Sequence, residues 1–168
     1  WNFDWSTMGT HDLPATITYI LKVTGKPKLA YIGHSQGTTQ MFYGLAKNEN
    51  YFASKVSVFI ALGPVMKLDH CKSSLLEFVA YNDGLLVDTC HALGIYEFFP
   101  ANYLVTGVFK LLCGTIPALC RFGVFLVADE DTTLDNADRL NVYLAHFPAG
   151  TSLRCLNHYA QVLRSKQF

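Results

Sequence analysis

The sequence carries no excess charge of either sign: its 168 residues hold thirteen Lys and Arg against thirteen Asp and Glu. That balance removes the whole-molecule attraction a nucleic acid or an anionic membrane surface would exploit; no nucleic acid is expected, and partners must be argued from sites. No C-x-x-C pair occurs among Cys71, Cys90, Cys113, Cys120 and Cys155. Zinc-ribbon and thioredoxin-like spacings are therefore lacking, and no metal is expected. Nor does any uninterrupted apolar run reach the ~20 residues of a transmembrane helix. Even in "YEFFPANYLVTGVFKLLCGTIPALCRFGVFLV" (96–127), Pro100, Asn102, Lys110, Pro117 and Arg121 intervene, so no transmembrane segment is expected. No internal repeat is visible. The chain opens at Trp1 without a charged segment leading into an apolar one, so any signal peptide of the gene is expected to lie outside these residues.

What is present is a hydrophobic content of 51%, enough for a real core at this length. Asp12 stands where a helix N-cap would, Pro14 sits in the first turn, and Leu13, Ile17, Ile20 and Leu21 recur at helical spacing until Thr24-Gly25. Next, "KLAYI" (28–32) is a compact apolar run without strict alternation, which predicts a strand buried on both faces of a parallel sheet. Thr38 to Ala46 reads as a second helix, and "KVSVFIALGPV" (55–65) as a second buried strand. Helix, strand, helix, strand is an α/β unit. From about Met66 the pattern shifts to short apolar helices broken by aromatics, prolines and glycines, with a greasy face able to meet lipid. A helix around Leu153 to Ser165 closes the chain. The expected division is a core segment at 1–65, a cap or lid region at 66–150, and a return helix at 151–168. Cys113 and Cys120 are the easiest pair to bridge by loop size; free thiols are the alternative.

Between the first strand and the second helix lies Gly33-His34-Ser35-Gln36-Gly37, a G-x-S-x-G pattern. By composition alone such a pattern arises by chance in a chain of this length about one time in twenty. Context discriminates: a strand ending at Ile32 and a helix starting near Thr38 are what a nucleophile elbow requires. Serine then occupies a strained turn, flanking glycines leave room for it, and the next backbone N–H, that of Gln36, can donate to the oxyanion of a tetrahedral intermediate. Neighbours on a tight turn point apart, so His34 reads as a shaping residue rather than the base.

Three blocks carry a wider resemblance: "WNFDWSTMGTHDLPATITYILKVTG", "YIGHSQGTTQMF" and "DRLNVYLAHFPAGTSLRCLNHYAQVLRSKQF". Together with "ALGPV" (61–65) they resemble the acid lipases of the α/β-hydrolase fold, the gastric and lysosomal acid lipase group. The resemblance implies a partial α/β-hydrolase core followed by a mostly helical cap or lid. Ser35 would be the nucleophile of a Ser-Asp-His triad, with the Gln36 N–H as one oxyanion donor. It further implies a serine carboxylic ester hydrolase acting on neutral lipids such as triacylglycerols or sterol esters at a lipid–water interface, with no cofactor, in a secreted or lysosomal protein. His11 and Gly63 depart from the family pattern, where tyrosine and alanine are usual, without touching the chemistry.

In that family the second oxyanion donor lies upstream of residue 1, and the triad Asp and His lie downstream of Phe168. The chain thus resembles the middle of such an enzyme, and the isolated 168 residues are expected to be inactive or nearly so. Two other readings stand beside it. Asp129 or Asp131 with His146 or His158 follows Ser35 in the hydrolase order and would complete a triad internally. Alternatively, a lipid-binding or scaffold protein would have kept the elbow and cap without the catalysis.

Overall fold

The computed structural model describes residues 1–98, 100, 102–127, 136, 139, 142 and 149–168. They form two compact units, Asn2–Asp69 with Ser165–Phe168, and Trp1 with His70–Arg164.

The first unit begins with α1 (Trp5–Thr7), capped by Asp4, whose carboxylate accepts from the Ser6 N–H at 2.8 Å and the Thr7 N–H at 3.1 Å. The chain runs on through a π-helical turn, Met8–Asp12, into α2 (Leu13–Thr24). The N-cap expected at Asp12 is therefore misplaced: Asp12 has helical angles, φ −65° and ψ −45°, and caps nothing. The wide turn closes with the Leu13 N–H on the Met8 carbonyl. It ends just before Pro14, which has no N–H to give to a helical ladder, so the irregular turn falls where the ladder must be interrupted. Of the apolar positions expected to face the core, Leu13 and Ile17 are buried, whereas Ile20 is exposed.

Strands β1 (Leu29–His34) and β2 (Val56–Leu62) pair in parallel, with Ile32 opposite Ile60 and His34 opposite Leu62. A parallel pair needs a crossover, and here α3 (Gln36–Lys47) and α4 (Glu49–Lys55) supply it. The short α4 was not foreseen; the Asn48 side chain starts it by accepting from the Tyr51 N–H at 3.2 Å. Leu13, Ile17, Met41 and Phe52, drawn from α2, α3 and α4, form the core cluster, with Leu29, Tyr31, Val56 and Phe59 of the strands packed against it. The opposite sheet face is another matter: Ile32, Val58, Ile60 and Leu62 are between 43% and 63% exposed. Burial on both faces requires a layer on each side, and among the described residues the helices of this unit cover one. The unit closes on Trp5, which is buried, meets Tyr43 edge-on at 5.4 Å and stacks on Phe168 at 5.3 Å.

The second unit contains α5 (Ser74–Tyr81), α6 (Asp83–Ala92), β3 (Glu97–Phe98), α7 (Tyr103–Thr115), α8 (Pro117–Val127), β4 (Thr151–Ser152) and α9 (Leu153–Ser165). The two short strands pair antiparallel, Glu97 opposite Ser152. Ser152 is fully buried and its hydroxyl accepts from the Cys155 N–H at 3.1 Å, capping α9. Near the far end of α9, Arg164 donates to the Ala80 carbonyl and pairs with Asp83, tying the helix to the α5–α6 junction. Cys113 and Cys120 are disulfide-bonded with Cα atoms 5.5 Å apart, joining α7 to α8. Among the described residues no single helix is long and apolar enough to cross a membrane. Tyr103–Thr115 and Pro117–Gly123 together match a span in length and composition but are bent by 114°.

Candidate active site

Ser35 sits between β1 and α3 at the N-cap position, with φ 50° and ψ −118°. Positive φ is costly for a residue with a Cβ and persists only where neighbours impose it. A serine at an N-cap ordinarily turns its hydroxyl onto the helix's first N–H groups. Here it makes no capping bond and the residue is exposed, so Oγ is not engaged by the helix it precedes. The backbone is held on both sides instead. The Ser35 N–H donates to the Leu62 carbonyl at 3.0 Å, extending the strand pairing past β1. The Ser35 carbonyl accepts from the Thr38 N–H at 2.9 Å and from the Thr38 hydroxyl at 2.6 Å.

The two glycines of the motif have unequal roles. A Cβ at Gly33 would lie 2.9 Å from the Gly37 carbonyl carbon and oxygen and 2.9 Å from the Tyr31 ring. At Gly37 it would meet only the Tyr31 hydroxyl, at 3.6 Å. Close approach therefore demands glycine before the serine, where β1 passes under the first turn of α3, but not after it. Tyr31 braces that passage. Its hydroxyl donates to the Gly37 carbonyl at 2.9 Å, its ring meets Phe59 edge-on at 5.7 Å, and its burial pushes the phenol pKa up.

Threonines that sequence reasoning did not single out complete the setting. Thr38 and Thr39 are fully buried on α3. The Thr38 hydroxyl accepts from the Val65 N–H at 2.9 Å, and the Thr39 hydroxyl donates to the Val65 carbonyl at 2.7 Å, which ties the chain leaving β2 to the first turn of α3. On the side of the π turn, the Gln36 and Gln40 amides donate to the Met8 thioether at 3.4 and 3.0 Å. The turn can come this close because Gly9 lacks a side chain: a Cβ there would stand 2.8 Å from the Gln40 carbonyl oxygen. Two adjacent threonines opening the expected helix were the available signal; nothing local marked Met8.

His34 is exposed, and its ring lies beside Gly63. Asp129, Asp131 and His146 lie outside the described residues. His158 is half-buried on α9 in the other unit. Among the described residues no group of three or more His, Cys, Asp or Glu side chains is placed to hold a metal ion. The local arrangement therefore offers one exposed hydroxyl on a strained turn, followed by the N-terminus of α3, whose dipole favours developing negative charge.

Comparison with known proteins extends these observations. The profile of the alpha/beta hydrolase fold matches residues 3–168. The Caenorhabditis elegans protein Lipase lipl-3 is 37% identical over 98% of the chain, which covers 41% of that relative. Human gastric triacylglycerol lipase is 35% identical, and human lysosomal acid lipase/cholesteryl ester hydrolase 32% identical, each over the whole chain and 42% of the relative. The chain thus spans about two fifths of the length of these proteins. It belongs to the alpha/beta hydrolase fold family, and within that family its similarity is to the gastric and lysosomal acid lipases.

Proposed function

We infer that this chain is the nucleophile-bearing part of a serine carboxylic ester hydrolase acting on neutral lipid esters, triacylglycerols or sterol esters, in lipid catabolism. The observation that carries the reading is Ser35 at φ 50° on the turn from β1 to α3, with its hydroxyl not spent on capping the helix. The lipid ester comes from the names of the relatives, a triacylglycerol lipase and a cholesteryl ester hydrolase. Their gastric and lysosomal designations support a secreted or lysosomal protein.

In this mechanism Ser35 Oγ attacks the ester carbonyl carbon as its proton passes to a histidine. The tetrahedral oxyanion takes a hydrogen bond from the Gln36 N–H. The C–O bond then breaks, the alcohol leaves with the proton, and water hydrolyses the acyl-enzyme by the same route in reverse roles. The histidine and its aspartate come from the remainder of the complete protein. Residues 66–150 serve as cap and lid, and the exposed apolar side chains of α7 and α8, among them Leu104, Leu111 and Phe122, support a lipid–water interface as the place of work.

Ser35→Ala in the complete gene product tests this on an emulsified triacylglycerol and on a sterol ester. Turnover should fall by about 10⁴-fold or more, since triad members act as a unit. Retention of most of the esterase activity would reject the reading, and a protein that binds lipid without hydrolysing it before mutation would favour the scaffold alternative.

A further inference from the structure

The nucleophile needs more than exposure: the peptide after it must aim its N–H at the developing oxyanion, and a strained turn does not keep that aim unaided. The peptide joining Ser35 to Gln36 is planar and trans, so its C=O and N–H point in opposite directions. Whatever fixes the Ser35 carbonyl therefore fixes the Gln36 N–H. That carbonyl is held by Thr38 twice over, through the backbone N–H at 2.9 Å and the side-chain hydroxyl at 2.6 Å.

The hydroxyl is not free to turn elsewhere. Thr38 is fully buried, and its Oγ1 accepts from the Val65 N–H at 2.9 Å. A hydroxyl has one proton, so with the Val65 N–H occupying a lone pair the proton is committed to the Ser35 carbonyl. In a buried site each bond of such a chain polarises the next. The remaining side of Ser35 is anchored by its N–H on the Leu62 carbonyl at 3.0 Å.

We propose that Thr38 is a positioning residue for the oxyanion donor: its buried hydroxyl, oriented by Val65, holds the Ser35 carbonyl so that the Gln36 N–H points at the reacting carbonyl oxygen. Thr38 touches no substrate and acts through Ser35 and Gln36. The proposal rests on Ser35 being the nucleophile.

The test uses Thr38→Val and Thr38→Ser in the complete gene product, with turnover expressed per titrated active site. Thr38→Val keeps the branched shape and removes the hydroxyl; kcat and the affinity for a boronic acid, which mimics the tetrahedral intermediate on serine, should each fall about 10-fold, with KM within about 2-fold of the parent. Thr38→Ser restores the donor and should recover both. Ile17→Val, a core truncation away from the elbow, should lower the unfolding midpoint and leave kcat unchanged. Should Thr38→Val fold too poorly to assay, Thr38→Ala is read the same way, again per titrated site. A Thr38→Val protein with the parent's kcat and boronate affinity overturns the proposal, as does a loss that Ile17→Val reproduces. Ser35→Ala measured alongside separates the two levels: if it abolishes turnover while Thr38→Val is normal, only the positioning role fails. If Ser35→Ala retains turnover, the nucleophile reading fails and the positioning role with it.

Discussion

Exchanging each glycine of the elbow for alanine should separate two residues that the G-x-S-x-G pattern treats alike. At Gly33 the new Cβ would stand 2.9 Å from the carbonyl carbon and oxygen of Gly37 and 2.9 Å from the Tyr31 ring. Two of those three atoms are backbone in the first turn of α3, so relief requires β1 and α3 to move apart. Tyr31 cannot swing clear without giving up its 2.9 Å hydrogen bond to Gly37 and its contact with Phe59. Overpacking of this kind costs about 2–3 kcal/mol, the upper part of the usual range. At Gly37 the Cβ meets only the Tyr31 hydroxyl, at an ordinary 3.6 Å. The residue lies in the first turn of α3, where alanine is favoured over glycine by less than the ~1 kcal/mol of a helix interior. Gly33→Ala should therefore lower the urea midpoint of the complete protein and slow fluorophosphonate labelling of Ser35, while Gly37→Ala should leave the midpoint unchanged or raise it. Equal destabilisation by the two substitutions, or a greater loss at Gly37, would refute the steric reasoning.

Other perturbations reach the rest of the chain. Cys113→Ser opens the loop closed to Cys120, seven residues on; for so small a loop the chain-entropy model predicts a loss of about 2–3 kcal/mol, readable as the difference in urea midpoint between oxidised parent and variant. Tyr31 makes stability depend on alkaline pH. Burial raises its folded pKa above the ordinary 10.0, so above pH 10 the unfolded chain releases a proton the folded chain keeps. Stability is thus intact below pH 10 and declines as pH rises through the folded value. Tyr31→Phe should flatten that decline in denaturation curves taken from pH 9 to 12, and an unaltered slope would count against the burial argument.

What the sequence disclosed was what is written locally. Ser35 with its glycines, the strand before it and the helix after it are contiguous, and the Cys113–Cys120 bridge spans a short loop, so both were legible. Asp12 misled because Leu13-Pro14 follows it, a strong helix-start pattern, whereas the true cap at Asp4 precedes a π turn that leaves no periodic trace. The short α4 hid beside Asn48 for a similar reason, since so brief a helix has no amphipathic period to detect. Both sheet faces are apolar in sequence, yet the described helices of the sheet's own unit cover one, and composition does not say which layer supplies the other. The link from Val65 to Thr38 joins residues 27 apart in sequence, and only the parallel pairing of β1 with β2 brings them together. Buried threonines announce a partner without naming it.

The most direct measurement is the site of covalent attack. The complete protein, treated with a fluorophosphonate and digested, should yield the phosphonyl group on Ser35, with fluoride released and esterase activity lost in proportion to labelling. Inactivation accompanied by an adduct on a different serine, with Ser35 unmodified, would contradict the account at its centre.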